Sequence, residues 1–256
     1  MFYKYRSFDS AYKYSVFERA ELYFPKPSEF NDPFESKPNI VGLDTLQKRQ
    51  KYVDSYIKHE QNGLRYKEKQ ALKRQLLTRL SNQDLIGRDI HKQLDLYGIF
   101  CTSKKWNHIL MWSHYSESHK GFCMGFNFES EFDHDLGTAR KVRYADKYPE
   151  FNPKLFSLDS SKELEELLVL SLATKSSEWS YEEEVRYIKP AREGGSRIYK
   201  FNEKKVQEVI VGACASDHCR GELIEIVEKH MPWVNIYQAK LSKSKYELYR
   251  EPINRK

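Results

Sequence analysis

Residues 44–96 constrain the fold more than any other stretch of the chain. The block holds no proline and places Leu46, Val53, Tyr56 and Ile57 at helical spacing, then Leu72, Leu76 and Leu80. Ser81 followed by Asp84 reads as a capping box opening a third helix that runs to Leu96. Strand-like runs lie on both sides of it. FYKYRSF alternates aromatic and cationic residues near the start, and ELYFPKP follows one short helix. GIFCTS, GFCMGFNF, KVRYAD and SYEEEVRYIKP come after the block. Strands separated by a helical insertion, rather than regular βαβ units, predict an α+β fold with a mixed, largely antiparallel sheet. We expect one domain over residues 1–256, with 44–96 as a basic helical insertion.

Further elements follow the same periodicities. An acidic amphipathic helix is expected over residues 158–176, with Leu164, Leu167, Leu168 and Leu172 on one face. VQEVIVG, a helix over residues 216–231 and VNIYQAKL predict a β-α-β tail.

The charge is placed unevenly. The chain carries 43 Lys+Arg against 37 Asp+Glu, a net +6, and the helical block alone holds 12 against 7, so 12 − 7 = +5 resides there. With Tyr52, Tyr56 and Tyr66 interleaved, that block could track phosphates or a partner protein. A solvated helix face explains the same surplus. The remaining segments are close to neutral and rich in aromatics, of which the chain has 36 (18 Tyr, 14 Phe and 4 Trp). Those rings supply enough surface to bury a core despite the low apolar content of 39%.

Several chemistries are set aside. No apolar run approaches the ~20 residues that span a bilayer, and residues 1–10 do not resemble a secretory leader, so we expect a cytoplasmic protein without membrane contact. Four cysteines are too few for a disulfide scaffold of this size. Cys214 and Cys219, separated by four residues, fit no standard zinc spacing. His114 and His119 lie five apart, unlike the i, i+4 histidines of a zinc-binding helix, and no metal site is expected. Neither a phosphate-binding glycine loop nor a nucleophile elbow is present.

Four polar-aromatic clusters remain: Tyr3, Tyr5 and Arg6; SEFNDPFE (28–35); MWSHYSESHKGF (111–122); and EWSYEEEVRY (178–187). Strand alternation through the last places Glu182, Glu184 and Arg186 on one face, with Tyr181, Glu183, Val185 and Tyr187 on the other. Two carboxylates and a guanidinium in a row must be solvated, paired or used.

The ordered set YKYRS, LYFPKPSEFNDPFE, GIFCTS, LMWSHYSESHKGFCMGF and WSYEEEVRYI resembles the bacterial family known as domain of unknown function 2971, over nearly the whole chain. A more distant resemblance is to the ADP-ribosyltransferase superfamily, including its DNA-modifying toxin branch. It follows the order of an aromatic or cationic residue on the first strand, a polar-aromatic motif mid-chain and a glutamate on a late strand. This resemblance implies a sheet core of ADP-ribosyltransferase type, NAD as co-substrate, and a role as an effector in bacterial toxin or anti-phage systems. It implies Glu184 as the catalytic carboxylate with Glu182 paired before it. Arg6 would bind phosphate, while Tyr5, His114 and Tyr115 would line the nicotinamide–ribose pocket. SEFNDPFE would be a loop over that pocket, with Asn31 and Asp32 polar and Phe30 and Phe34 as anchors. The Ser-Thr-Ser motif of the arginine-modifying branch is missing, and the first-motif position stays open between Tyr5 and Arg6. Two other readings stand beside this one: a nucleic-acid- or partner-binding module using the basic helices, and a magnesium nuclease using Asp32, Glu35 and Glu184. The acceptor of any ADP-ribose and the oligomeric state are not legible.

Overall fold

The computed structural model describes residues 1–10, 12–61, 63–128, 132–133, 135–151 and 168–254. The strands are β1 Phe2–Arg6, β2 Glu21–Tyr23, β3 Asn39–Ile40, β4 Tyr97–Ser103, β5 Phe122–Phe126, β6 Phe132–Asp133, β7 Gly137–Lys141 and β8 Arg143–Ala145. They continue as β9 Glu150–Phe151, β10 Thr174–Ser176, β11 Glu184–Pro190, β12 Ile198–Lys200, β13 Val206–Val211, β14 Asn235–Leu241 and β15 Leu248–Pro252. The helices are α1 Ser15–Arg19, α2 Leu46–Glu60, α3 Tyr66–Leu80, α4 Gln83–Leu94, α5 Ile109–Tyr115 and α6 Asp217–His230. Of the helix expected over 158–176, only residues 168–172 are described and helical, with Leu168 and Leu172 buried. Leu164 and Leu167 lie outside the described residues.

The chain divides into two compact units. The first comprises Met1–Pro25, Gly98–Val142 and Glu178–Lys256; the second comprises Lys26–Tyr97 and Arg143–Ser177. The first unit is built on a nine-stranded, mostly antiparallel mixed sheet of order β15-β14-β13-β5-β1-β4-β11-β7-β6. The architecture is therefore α+β, as the flanking strand runs predicted. The parallel pair β13–β14 is bridged by α6. A serine at 216 starts that helix, its hydroxyl accepting from Cys219 N at 3.2 Å. β13 lies inside the sheet beside β5 rather than at its rim.

Period-two alternation sorts the side chains onto two cores. On β1, β5 and β13 the register aligns Phe2 with Phe126 and Val206, Lys4 with Met124 and Val209, and Arg6 with Phe122 and Val211. That face packs against Val16 and Phe17 of α1 and Leu223 and Val227 of α6. The opposite face carries Tyr3, Tyr5, Cys123 and Ile210, covered by Met111 and Trp112 of α5. At about 25 cal/mol per Å² of apolar surface, these two faces supply the main driving force of the unit.

The second unit contains the helical block. Thr45 caps α2 by accepting from Lys48 N at 3.2 Å, and Glu68 reaches back to Arg65 N at 2.7 Å to start α3. Val53 and Ile57 of α2 and Ile90 and Leu94 of α4 are buried, whereas α3 buries none of its side chains. Ion pairs Lys73–Asp54 and Arg79–Asp89 lie within the block. Two parallel strand pairs, β3–β9 and β8–β10, belong to the same unit. Among the described residues no helix is long and apolar enough to cross a membrane.

Candidate functional site

The site is assembled by three local devices in the first unit. The first is the motif 111–122. Helix α5 anchors through Trp112, fully buried, whose Nε1 donates to Trp106 O at 2.7 Å. The helix then ends in a turn in which Glu117, Ser118 and His119 all take positive φ (53°, 54° and 68°). Three consecutive left-handed non-glycine residues cost of order 1–3 kcal/mol each and persist only where surrounding bonds hold them. Here the bonds are Ser118 N to Ser113 O at 3.3 Å, His119 N to Trp112 O at 3.2 Å, and Gly121 N to Ser116 O at 2.8 Å. Gly121 lets this turn meet β1: a Cβ there would sit 2.1 Å from Arg6 O. Gly212 closes the other side, where a Cβ would sit 2.2 Å from His119 O.

The second device is the entry to β11. The sequence pattern predicts strand from Ser180 onward, but Ser177–Glu182 form a 3-10 turn and Glu183 sits at φ 44°. Glu182 therefore does not share a strand face with Glu184; the left-handed residue between them breaks the alternation. Hydroxyls of β4 pin this entry, with Ser103 Oγ donating to Glu182 O at 2.6 Å and Thr102 Oγ1 to Val185 O at 2.9 Å. Glu183 is carried outward to pair with Lys105 at 2.7 Å. Glu184 and Arg186 do share a face. Arg186 Nε and Nη2 donate to Glu184 Oε1 and Oε2, each at 2.9 Å, and the guanidinium is fully buried. Tyr115 Oη donates to Oε1 of the buried Glu182 at 2.7 Å. The Cys101 thiol lies beside this carboxylate group; burial first, and then the Glu184 charge, pushes its pKa well up.

The third device is β1. Alternation sends Tyr5 and Arg6 to opposite faces of the sheet. Tyr5 is 5% exposed, packs edge-to-face on Trp112 at 5.3 Å and donates to Lys105 O at 2.8 Å, so it is a satisfied core side chain. The expectation that Tyr5 lines a pocket gives way to this packing role. Arg6 and Lys4 point the other way. Burial pushes the Arg6 pKa down to about 10, and its Nε is buried with no hydrogen-bond partner. The Lys4 ammonium stands 5.2 Å over the Phe100 ring. Burial lowers its pKa. The neighbouring Cys101, Glu184 and Glu182 oppose that shift, while Arg6 adds to it.

The other expected residues are placed separately. His114 is exposed, edge-on to Trp179 at 5.8 Å. Asn31 and Asp32 belong to the second unit, where Asp32 Oδ1 accepts from Phe34 N at 2.8 Å in an Asx turn. Phe34, expected as a buried anchor, is 65% exposed. Glu35 of the proposed nuclease trio forms a buried ion pair with Lys175 at 3.0 Å. Among the described residues no three His, Cys, Asp or Glu side chains group in a way that could hold a metal ion. An open cleft of about 590 Å³ in the first unit is lined by Ile109, Leu110, Ser113, His119 and the 241–247 hairpin, and contains none of the expected residues.

Sequence reasoning missed Lys4, although its position two residues before Arg6 on an alternating strand was a usable signal. It also missed the left-handed turn, because nothing in SESH requires positive φ; only the tertiary bonds impose it.

Together these features define an α+β protein whose mixed sheet brings a carboxylate pair, a tyrosine and cations from three distant segments into one unit. Residues 111–187 match the model of the family described as Protein of unknown function (DUF2971). The match spans Tyr115, Gly121, Glu182, Glu184 and Arg186. No curated protein and no solved structure matches the chain.

Proposed function

We propose that the chain is an NAD-dependent ADP-ribosyltransferase or NAD glycohydrolase-like effector with an ADP-ribosyltransferase type of sheet, acting in a bacterial toxin or anti-phage setting. The observation that supports it most is the carboxylate group at the entry of β11. Glu184 is held by two hydrogen bonds from Arg186, and Glu182 by one from Tyr115. The electrostatic field of both carboxylates reaches Lys4. In the proposed reaction the C–N bond between ribose and nicotinamide breaks, and its electron pair leaves with the ring, which becomes neutral. The ribose carbon develops oxocarbenium character, which a fixed carboxylate stabilises electrostatically. Water or an acceptor nucleophile then adds to that carbon and loses a proton. Glu184 takes the stabilising role, Glu182 with Tyr115 orients ribose hydroxyls, and Arg6 meets the phosphates.

Glu184→Gln keeps the shape of the side chain and removes its charge. The expected result is a folded protein without nicotinamide release. Undiminished release by that variant would remove Glu184 from the mechanism. A second reading, a nucleic-acid- or partner-binding module, draws on α3, which buries no side chain and exposes Lys67 and Arg74. Binding of short DNA or RNA that weakens steeply with salt supports it, and no binding at low salt removes it.

A further inference from the structure

Twelve large apolar side chains stay exposed among the described residues, and four of them line one cleft. Ile109 and Leu110 come from the first turn of α5, Leu241 from the end of β14 and Tyr246 from the hairpin that follows it. The space between them is about 590 Å³. Tyr246 is 97% exposed, so no described residue covers it. Sites for small molecules run roughly 300–1,000 Å³ and are mostly apolar, and apolar side chains gathered in a concavity mark such a site better than scattered ones do. Lys243 and Lys245 line the same cleft without an ion pair among the described residues, against one carboxylate, Glu247. Ser113 and His119, which α5 and its turn contribute, are already committed. Ser113 Oγ donates its one proton to Ile109 O at 3.0 Å, so at 3.3 Å from His119 Nε2 it accepts the ring proton. His119 Nδ1 is then the bare nitrogen, buried without a partner, and burial lowers the pKa of the ring, which is neutral near pH 7. A serine that accepts from its histidine is not activated as a nucleophile, so the pair supports binding rather than acyl transfer.

We propose that this cleft binds a small amphipathic monoanion, a carboxylate carried on an apolar tail of medium length. The tail lies against Ile109, Leu110 and Leu241, beside the Tyr246 ring, and the carboxylate sits at Lys243 and Lys245. Burial of the tail drives binding, and the lysines select the charge. Two lysines against Glu247 leave an excess of one positive charge, which suits a carboxylate better than a doubly charged phosphate that Glu247 would repel more strongly. Both walls are formed in advance. His119 O accepts from Cys214 N at 3.0 Å, and Ser242 N donates to Glu247 O at 3.0 Å across the hairpin. None of the residues assigned to NAD chemistry lines the cleft, so this inference stands apart from that reading.

Isothermal titration of the full chain with octanoate tests it, with octan-1-ol, octylammonium and acetate as comparison ligands. Octanoate should bind at a single site, at least ~10-fold more tightly than any of the others. The Lys243→Met, Lys245→Met double variant and Leu110→Asp should each weaken octanoate about 10-fold, whereas Glu247→Gln should tighten it about 3-fold. These side chains are exposed, so the ligand-free variants should keep the Tm of the natural protein, and each change in affinity reads the cleft. Octanol bound as tightly as octanoate would reduce the cleft to an apolar patch and overturn the proposal. So would octanoate binding that is unchanged in the double lysine variant, or no octanoate binding at ~10 mM. Nicotinamide release from NAD should be the same in all of these variants, so either reading can fail without the other.

Discussion

Two arginines of the same sheet face opposite demands. Arg186 on β11 is wholly buried and donates two parallel hydrogen bonds to Glu184, so its desolvation is offset within the fold. Arg6 on β1 is half-buried, with its Nε sealed and unbonded and its pKa pushed down to about 10 by burial alone. A charge that the fold pairs contributes to the fold. A charge that the fold leaves unpaired burdens it, and is understood best as an unfilled half of an interaction with something outside the chain. Substitutions should therefore separate the two sites by the sign of their effect on stability.

The largest effect is expected at the paired site. Arg186→Met leaves the Glu184 carboxylate without both donors inside the sheet, and loss of one partner of such a pair costs about 3–5 kcal/mol. Denaturant unfolding should read that loss as a lowered midpoint. A change below about 1 kcal/mol would mean that solvent reaches the pair and the contrast with Arg6 is false. Gly121→Ala attacks the contact between the 116–121 turn and β1. Its Cβ meets a backbone oxygen at 2.1 Å, which no rotamer relieves, so β1 or the turn must move. The expected cost is about 3 kcal/mol, the upper range of overpacking. Tyr115→Phe is smaller. It removes the 2.7 Å bond to Glu182, a carboxylate 2% exposed, and should cost about 1–3 kcal/mol in unfolding while slowing nicotinamide release. An unchanged rate would make Tyr115 a structural residue only.

The same contrast explains how much could be read from the chain. Arg186 and Glu184 were legible because i, i+2 alternation on a strand is a local rule, and it holds from Glu184 onward. Glu182 was misplaced on that face because a single left-handed residue, Glu183, interrupts the rule, and a glutamate gives no sign of positive φ. The three helices of 44–96 followed from leucine spacing, which is also local, whereas Ser81, read as the start of the third helix, ends α3 instead. Their grouping with residues 143–177 rests on pairings such as β3–β9 between segments more than a hundred residues apart, which no periodicity reveals. Tyr5 and Arg6 were both named without a choice, since alternation says that they face apart but not what covers each face. Tyr5 is covered by Trp112 arriving from α5, which no local rule announces.

Arg6→Gln carries the smallest expected change and the sharpest sign. Removing an unpaired, half-buried cation should leave the unfolding midpoint of the ligand-free protein unchanged or higher, within about 1 kcal/mol. Its pH dependence distinguishes lost charge from altered packing. The folded-state pKa of about 10 lies below the ordinary 12.5, so the unfolded chain holds the proton more tightly across that interval. The stability of the natural protein should therefore rise relative to the variant as pH climbs from about 10 toward 12.5, and the difference should stay constant below about 10. Lys4, also lowered by burial, shifts in the same direction, and it is present in both proteins, so it cancels from the comparison. Unfolding midpoints of the pair measured side by side at pH 8, 9 and above 10 would read this. A variant less stable than the natural protein at neutral pH, by the several kcal/mol expected at Arg186, would show that Arg6 is paired after all.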